Sequence, residues 1–215
     1  MMRFVHGIMS ILWAIFLIML FANILTSRPY IQLSKGLYDT HEAIDYDHGY
    51  VARQLIDYLN YRHDDLYFGA DVNDDTVLMR DIEIRHMVDV KHLYTSLRVV
   101  ALAALIIVMG FSIWLYQKDI NSFYQMVKNS YQIPLAFAVF IGVWFLIDFN
   151  RIFTLFHELF FDNDDWLLRS DDVLILLLPQ MFWFVSGALI LLGLVISIGL
   201  TLLFNHTKIK PKVSD

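Results

Sequence analysis

Four long apolar stretches constrain this sequence more than any other feature, because each is long enough to cross a lipid bilayer. A spanning helix needs roughly 20 mostly apolar residues to cover about 30 Å of hydrocarbon. The stretches occupy residues 4–27, 99–116, 131–149 and 173–204. With 58% hydrophobic residues and a mean hydropathy of +0.53, the chain is too apolar for an ordinary soluble domain. It is therefore predicted to be a mainly α membrane protein with four transmembrane helices.

The basic residues in the short connections predict the orientation of these helices. Lysine and arginine favour the cytoplasmic side of short loops. The basic residues that define this side are Arg3, Lys118, Lys128, Lys208, Lys210 and Lys212. Both termini are therefore expected in the cytoplasm, and the two longer connections on the outer face.

This orientation divides the whole chain into spanning, outer and cytoplasmic segments. The predicted spans are 4–27, 99–116, 131–149 and 173–204, the last of which includes an interfacial lead-in. The outer segments are an extracytoplasmic cap at 28–98 and an extracytoplasmic loop at 150–172. The cytoplasmic segments are a loop at 117–130 and a tail at 205–215. Within the last span, Pro179 predicts that a short lead-in precedes the spanning helix itself.

The 28–98 segment is expected to form a small α+β cap on the membrane part. Apolar residues recur at helical spacing between His41 and Arg62, which predicts an amphipathic helix with Asp57 on its exposed side. Two apolar triplets, 66–68 and 77–79, flank a polar turn and predict a β-hairpin. From Asp81 a helix is expected to run toward the second span.

Composition excludes several kinds of chemistry. The chain has no cysteine, which rules out disulfides, a thiolate nucleophile and thiolate metal sites. Basic residues interleaved with aromatics are lacking, so nucleic acid is not an expected partner. Two acidic tracts, 71–75 and 162–165, lack the glycine and glutamate of a calcium-binding EF-hand loop. They are interpreted as turns or solvated loops in preference to metal sites. No metal or cofactor is predicted.

Two histidines are the candidate reactive groups. His86 precedes the second span and His157 follows the third, so both are expected near the outer interface. On a helix, Asp89 shares the face of His86 and is expected to hold its imidazole in one tautomer. The alternative is that these histidines and the aromatics at 156, 160, 161 and 166 only anchor the chain at the membrane surface.

The residues around these two histidines resemble a known family. The segments are Arg85-His86-Met87-Val88-Asp89-Val90-Lys91 and Phe156-His157-Glu158-Leu159-Phe160-Phe161, the second followed by Trp166. With the four-span pattern, they are similar to the bacterial lipoprotein intramolecular transacylases, called Lit. The resemblance implies a membrane acyltransferase that moves the sn-2 acyl chain of a diacylglyceryl lipoprotein to the amine of its N-terminal cysteine, giving lyso-form lipoprotein. It also implies that His86 and His157 are the essential pair.

The expected chemistry needs a base, a proton donor and a template. We expect His157 to take the proton of the attacking amine, and His86, supported by Asp89, to donate to the carbonyl or the leaving glycerol oxygen. The expected partners are the diacylglyceryl lipoprotein and membrane lipid, and the oligomeric state stays open. The uncharged lead-in 173–178 either accepts acyl chains or packs in a core.

Two other classes of protein compete with the enzyme hypothesis. A membrane receptor or assembly factor with an outer binding cap needs no reactive histidine, so it is the main alternative. A transporter is disfavoured because charged residues inside spans mark ion paths, and only Asp148 qualifies here.

Overall fold

The computed structural model describes residues 2–34, 36, 48–66 and 79–208, and these residues are mainly helical. In the described residues the helices are α1 (Met2–Leu25), α2 (Arg28–Leu33), α3 (His48–Leu59), α4 (Asp81–Lys118), α5 (Ile120–Asn129), α6 (Gln132–Ile147), α7 (Phe149–Phe160), α8 (Val173–Leu177) and α9 (Gln180–Lys208). No β-strand occurs among these residues. The β part of the predicted α+β cap is therefore not supported.

Four stretches of helix are long and apolar enough to cross a membrane, which agrees with the predicted number of spans. They are Met2–Leu25, Asp81–Lys118, Ile120–Ile147 and Gln180–Phe204. Helix α4 has 38 residues and is about 57 Å long, far more than the hydrocarbon core requires. Its charged residues lie before position 99 and at its end, and 99–116 is uncharged. His86 therefore lies on the polar part of this helix, outside the uncharged segment.

The chain divides into two compact units. The first contains Met1–Phe21, Leu97–Ile147 and Ala188–Asp215, and the second contains Ala22–Ser96 and Asp148–Gly187. In the first unit, Leu17, Ala138 and Leu194 form a buried cluster. The hydroxyl of Ser10 on α1 also donates to the Ser130 carbonyl at 2.6 Å. This unit thus combines apolar packing with a polar contact that ties α1 to the turn after α5.

The second unit has its own core, which is built around α3. Val51, Leu55 and Leu59 on α3 are buried, as their helical spacing predicts. They pack with Ile31, Met79, Met87, Leu174, Leu177 and Phe182. The remainder of the predicted amphipathic helix, 41–47, lies outside the described residues, as do 67–78, which hold most of the predicted hairpin and the first acidic tract.

The prediction that Asp57 lies on the exposed side of α3 is wrong. Asp57 is 3% exposed. Its carboxylate accepts hydrogen bonds from Arg28 at 2.6 to 3.2 Å and from Arg62 at 3.3 Å. The two guanidiniums replace the water that the carboxylate loses, and they hold the pKa of Asp57 below its ordinary value against the effect of burial.

The lead-in before the last span forms a separate short helix. Helix α8 ends at Leu177, and α9 begins at Gln180, directly after Pro179. Val173, Leu174 and Leu177 are buried in the core of the second unit. Of the two expectations for this segment, the structure favours core packing over an open groove.

Candidate active site

His86 and His157 meet inside the second unit. Their ring centroids are 5.9 Å apart and the ring planes are inclined by 34°. Each residue is only 8% exposed. His86 lies in the second turn of α4, and His157 lies in the last turn of α7. Two imidazoles that are distant in sequence thus share one largely dehydrated site.

A backbone contact orients His157 and fixes its tautomer. Its Nδ1 lies 2.7 Å from the carbonyl oxygen of Phe153. A carbonyl oxygen only accepts, so Nδ1 carries the hydrogen and donates it. In the neutral ring, Nε2 therefore holds the lone pair and is the basic nitrogen.

Aromatic rings surround His157 on several sides. The Phe153 ring centroid lies 4.3 Å away, and the Trp166 ring stacks at 5.0 Å with a 29° angle between planes. Phe161 contacts both histidines, at 5.2 Å from His86 and 5.7 Å from His157. Phe161 is buried, whereas Phe156 is 44% exposed. The aromatic segment therefore both walls the site and presents apolar surface.

Both imidazoles are pushed toward the neutral form. Burial, with a smaller contribution from the nearby His157, lowers the pKa of His86 to about 4, although Asp89 and Asp165 act in the opposite direction. Burial also lowers the pKa of His157, and the Phe153 carbonyl opposes this shift. At neutral pH each ring therefore has one N–H donor and one lone pair.

Asp89 affects the pKa of His86 through its charge, and no hydrogen bond joins the two described side chains. Its Oδ2 accepts from Nδ2 of Asn163 at 2.9 Å. Among the described residues, the buried Nδ1 of His86 has no hydrogen-bond partner. The expected tautomer-fixing contact is thus not present in this geometry, and Asp89 instead binds the loop that follows α7.

The loop after α7 is attached to α4 at a second point. The guanidinium of Arg85 donates twice to Asp165, at 2.9 and 3.0 Å. Trp166 follows directly, so these bonds determine where its ring stacks on His157. The second acidic tract, 162–165, is a loop that uses Asn163 and Asp165 for attachment. In the part of the chain that the structure describes, no group of three or more metal-ligating side chains occurs.

A buried polar cluster fixes the beginning of α4, three residues before His86. Glu83 is completely buried and accepts from the backbone N–H groups of Leu174 and Arg80, both at 2.8 Å. Arg80 forms a bidentate ion pair with the buried Asp172, and this pair lowers the pKa of Asp172. The cluster joins Asp172 and the first turn of α8 to the beginning of α4 and so sets the position of His86.

The two histidines that the sequence predicts as candidates lie together in the structure, but sequence reasoning missed the groups that position them. Phe153 belongs to no motif, although it lies four residues before His157, where a helical carbonyl is within reach of the side chain. The pairs Arg85–Asp165 and Arg80–Asp172 join distant segments. A single sequence carries no signal for either pairing.

Comparison with known proteins relates the chain to one family. The family described as lipoprotein intramolecular transacylase Lit matches residues 4–183, more than half of the chain. An uncharacterized protein of Aquifex aeolicus is 26% identical over 132 residues, which are 58% of this chain and 55% of that protein. The chain thus spans about half the length of this curated relative.

Solved structures show that the fold is shared. The membrane integral lipoprotein intramolecular transacylase Lit from Bacillus cereus is 22% identical and superposes with a TM-score of 0.78, covering 96% of this chain and 94% of that one. Two variants of that protein, in which a histidine is replaced by arginine or by alanine, superpose with TM-scores of 0.70 and 0.68. They are 22% and 23% identical, and each covers 96% of this chain and 91% or 92% of its own. With its four apolar helices, the chain has the fold of a multi-pass membrane protein.

Proposed function

Because the chain belongs to the lipoprotein intramolecular transacylase family Lit, we propose that it moves one acyl chain within a lipoprotein. The donor is the sn-2 ester of the diacylglyceryl group, and the acceptor is the α-amine of the N-terminal cysteine of the same molecule. The product is lyso-form lipoprotein. The observation that carries this proposal is the buried pair of neutral imidazoles, His86 and His157.

The reaction exchanges an ester for an amide and is balanced in protons. The amine nitrogen forms a bond to the acyl carbon, and the bond from that carbon to the sn-2 oxygen breaks. One proton leaves the nitrogen and one is added to the glycerol oxygen. Two neutral imidazoles suit this exchange because one accepts a proton while the other donates, and a proton passed between them restores both.

His157 is assigned the role of base. Its Nδ1–H is committed to the Phe153 carbonyl, so its basic Nε2 is the nitrogen that receives the amine proton. His86 is the donor to the carbonyl oxygen or the leaving glycerol oxygen. With a pKa of about 4, His86 performs this role as a neutral N–H donor. The proton that His157 takes from the amine is then passed to His86.

The enzyme's larger task is to hold the substrate folded. From the amine to the acyl carbon, the atoms of the transition state form a ring of about eight members, which is unfavourable without a template. The chain has no cysteine and therefore cannot form a thioester intermediate. These two points favour direct transfer within one bound lipoprotein.

We assign the two histidines to the outer face of a bacterial cell membrane, with both termini in the cytoplasm. The support is the basic excess in the short connections, including Lys118 and Lys128. Since the chain has no native cysteine, Asp162→Cys and Ser214→Cys can be labelled one at a time in intact cells. An impermeant maleimide is expected to label the first and not the second, and the reverse pattern would contradict the topology.

Mass spectrometry of a reporter lipoprotein tests the reaction directly. The N-terminal peptide gains an amide-linked acyl chain and loses the sn-2 ester, at constant total mass, so fragmentation and base treatment distinguish the two forms. The wild-type chain is expected to convert the reporter, whereas His86→Ala and His157→Ala lose at least about 100-fold in rate. His92→Ala, on the exposed side of α4, is the matched control.

The same experiment separates the enzyme from a receptor or assembly factor. A protein that only binds the reporter leaves both ester positions unchanged. The proposal is contradicted if the wild-type chain gives no lyso-form product in vesicles that contain the reporter. The assigned roles are contradicted if either folded histidine variant retains the normal rate.

A further inference from the structure

A second unusual group in the second unit is the ammonium of Lys91, which is separate from the histidine pair. Lys91 lies on α4 and is 9% exposed. Its Nζ lies 3.8 Å from the ring centroid of Tyr58 and 4.4 Å from that of Tyr61. Two aromatic faces thus hold a buried cation.

The ammonium lacks an oxygen partner in the part of the chain that the structure describes. No described carboxylate forms an ion pair with Lys91, and no described group accepts a hydrogen bond from its Nζ. An ammonium has three N–H donors, and aromatic faces attract its charge without replacing all the acceptors that water provides. Burial of such a group is unfavourable unless a partner oxygen reaches it.

The backbone is strained at the residue that provides one of these aromatic faces. Tyr61 has a φ of 57°, a left-handed conformation that is uncommon for a bulky residue. Its hydroxyl forms a hydrogen bond of 2.7 Å with Thr95, and Thr95 in turn donates to the Lys91 carbonyl. Strain that persists in a well-bonded segment is typical of functional sites. Here it holds the Tyr61 ring against the Lys91 ammonium.

The site lies at the level where the first apolar helix ends. The hydroxyls of Thr26, just after α1, and Tyr94 on α4 are hydrogen-bonded. Lys91 lies three residues before Tyr94, about 4.5 Å along the helix axis. Measured from the end of α1, this depth lies within the headgroup layer, which extends about 5–7 Å beyond the hydrocarbon on each side.

Neighbouring residues add positive charge to this region. Arg28, two residues after Thr26, and Arg62, directly after Tyr61, share the single carboxylate of Asp57. Both arginine side chains are 55% exposed. Two guanidiniums thus share one carboxylate, which leaves positive charge available to an anionic ligand.

We propose that Lys91, held between Tyr58 and Tyr61, binds the phosphate of an anionic phospholipid, with Arg28 and Arg62 at the edge of the headgroup. A phosphate diester has oxyanion acceptors for the ammonium N–H groups, and its two acyl chains keep it at this depth. The diacylglyceryl cysteine of the proposed substrate has no phosphate, so this site is distinct from the one that holds the reacting ester. The proposal does not depend on the acyl-transfer reaction.

Lipid retention and thermal stability of the full-length protein test the site without an activity assay. Wild-type protein in detergent is expected to retain phosphatidylglycerol through delipidation, as read by native mass spectrometry, and to gain Tm when this lipid is added. Lys91→Met keeps the aliphatic length between the two rings and removes the charge. It is expected to retain at least about 10-fold less lipid and to show no lipid-dependent rise in Tm. Its Tm without lipid is expected to equal or exceed that of wild type, because a buried charge that has no oxygen partner among the described residues is gone.

Three further arms distinguish the possible occupants. Lys91→Arg is expected to restore retention, and Lys118→Met, an exposed lysine on the same helix, is expected to behave as wild type. Inorganic phosphate at the same concentration is expected to leave Tm unchanged, because only the lipid reaches the headgroup layer with its chains anchored. The proposal is overturned if Lys91→Met retains the lipid as wild type does, or if phosphate alone reproduces the Tm rise.

Discussion

The rings of His86 and His157 lie 5.9 Å apart at their centroids, although one belongs to the beginning of a 38-residue helix and the other to the end of a 12-residue helix. The proposed transfer needs one substrate group within reach of both rings, and this separation allows it. Because burial lowers both pKa values, the pair is neutral at physiological pH and has two lone pairs and two N–H groups, of which the Nδ1–H of His157 is bound to the Phe153 carbonyl.

The lowered pKa values predict a particular pH dependence of acyl transfer. Below the pKa of the substrate amine, about 8, most amine is protonated and unreactive, so kcat/KM is expected to rise about tenfold per pH unit toward that value. A catalytic histidine with an ordinary pKa of about 6.5 would add a second bend, at about pH 6.5, to the plot of log kcat/KM against pH. The pKa of His86 is about 4 and that of His157 lies below its ordinary value, so no bend is expected at about pH 6.5 and the profile is expected to rise with unit slope from there until it levels off near the pKa of the amine. Measurement in mixed micelles with the reporter lipoprotein checks this, and a bend at the ordinary histidine pKa contradicts it.

The contact between Asp89 and Asn163 predicts that Asp89 acts mainly by positioning the loop. Asn163→Ala removes the 2.9 Å hydrogen bond and is expected to lower kcat by about 3- to 10-fold, since a displaced loop shifts Trp166 on His157. Asp89→Ala is expected to lower kcat by about the same factor as Asn163→Ala. The double variant is expected to lower kcat little further than either single variant. The measurement is a double-mutant cycle on kcat.

A direct role of Asp89 on the imidazole gives a different pattern in that cycle. If Asp89→Ala costs about 100-fold or more while Asn163→Ala is neutral, positioning is not its role. Glu158→Ala is a suitable control, because Glu158 lies beside His157 in sequence and its side chain is exposed.

The spans and the two histidines are predictable from sequence because their signals are local. Long uncharged stretches identify spanning helices, and the residues around His86 and His157 carry the family resemblance. The burial of Asp57 depends on residues outside its own helix. Its spacing on α3 indicates a polar face, but the ion pairs with Arg28 and Arg62 make burial favourable. Pairings of this kind depend on how separate segments meet, and periodicity within one helix contains no information about them.

The hydrogen-bond partner of Asp89 likewise depends on a separate segment of the chain. The i,i+3 spacing with His86 predicts proximity on one helix face. The position of Asn163, which competes for the carboxylate, depends on the loop after α7. Local spacing therefore identified a charge near the imidazole but not its hydrogen-bond partner.

The ion pair between Arg80 and Asp172 predicts an asymmetric effect on stability. The Asp172 side chain is 2% exposed, whereas that of Arg80 is 40% exposed. Arg80→Ala leaves a buried carboxylate without its cation and is expected to lower the free energy of unfolding by about 3 kcal/mol. Asp172→Asn leaves an arginine that water still reaches, so about 1 kcal/mol is expected. Denaturant unfolding in detergent micelles measures both.

A more exposed ion pair on the same helix serves as the comparison. In Arg85–Asp165 the side chains are 59% and 22% exposed, so Arg85→Ala is expected to cost less than about 1 kcal/mol. Equal losses for Arg80→Ala and Arg85→Ala, or a larger loss for Asp172→Asn than for Arg80→Ala, contradict the argument from burial.

Close packing in the first unit predicts that Gly193 does not tolerate a side chain. A Cβ placed on Gly193 of α9 would lie 2.7 Å from three ring atoms of Phe21 on α1. Gly193→Ala therefore forces the rigid ring or the helix to move, and a loss of about 1–3 kcal/mol is expected, as for other overpacked sites. On the same helix, a Cβ at Gly199 would meet no atom within 4 Å, so Gly199→Ala is expected to change the free energy of unfolding by no more than about 0.5 kcal/mol. Unfolding of both variants in the same micelles decides the matter, and a neutral Gly193→Ala rules out this contact between α1 and α9.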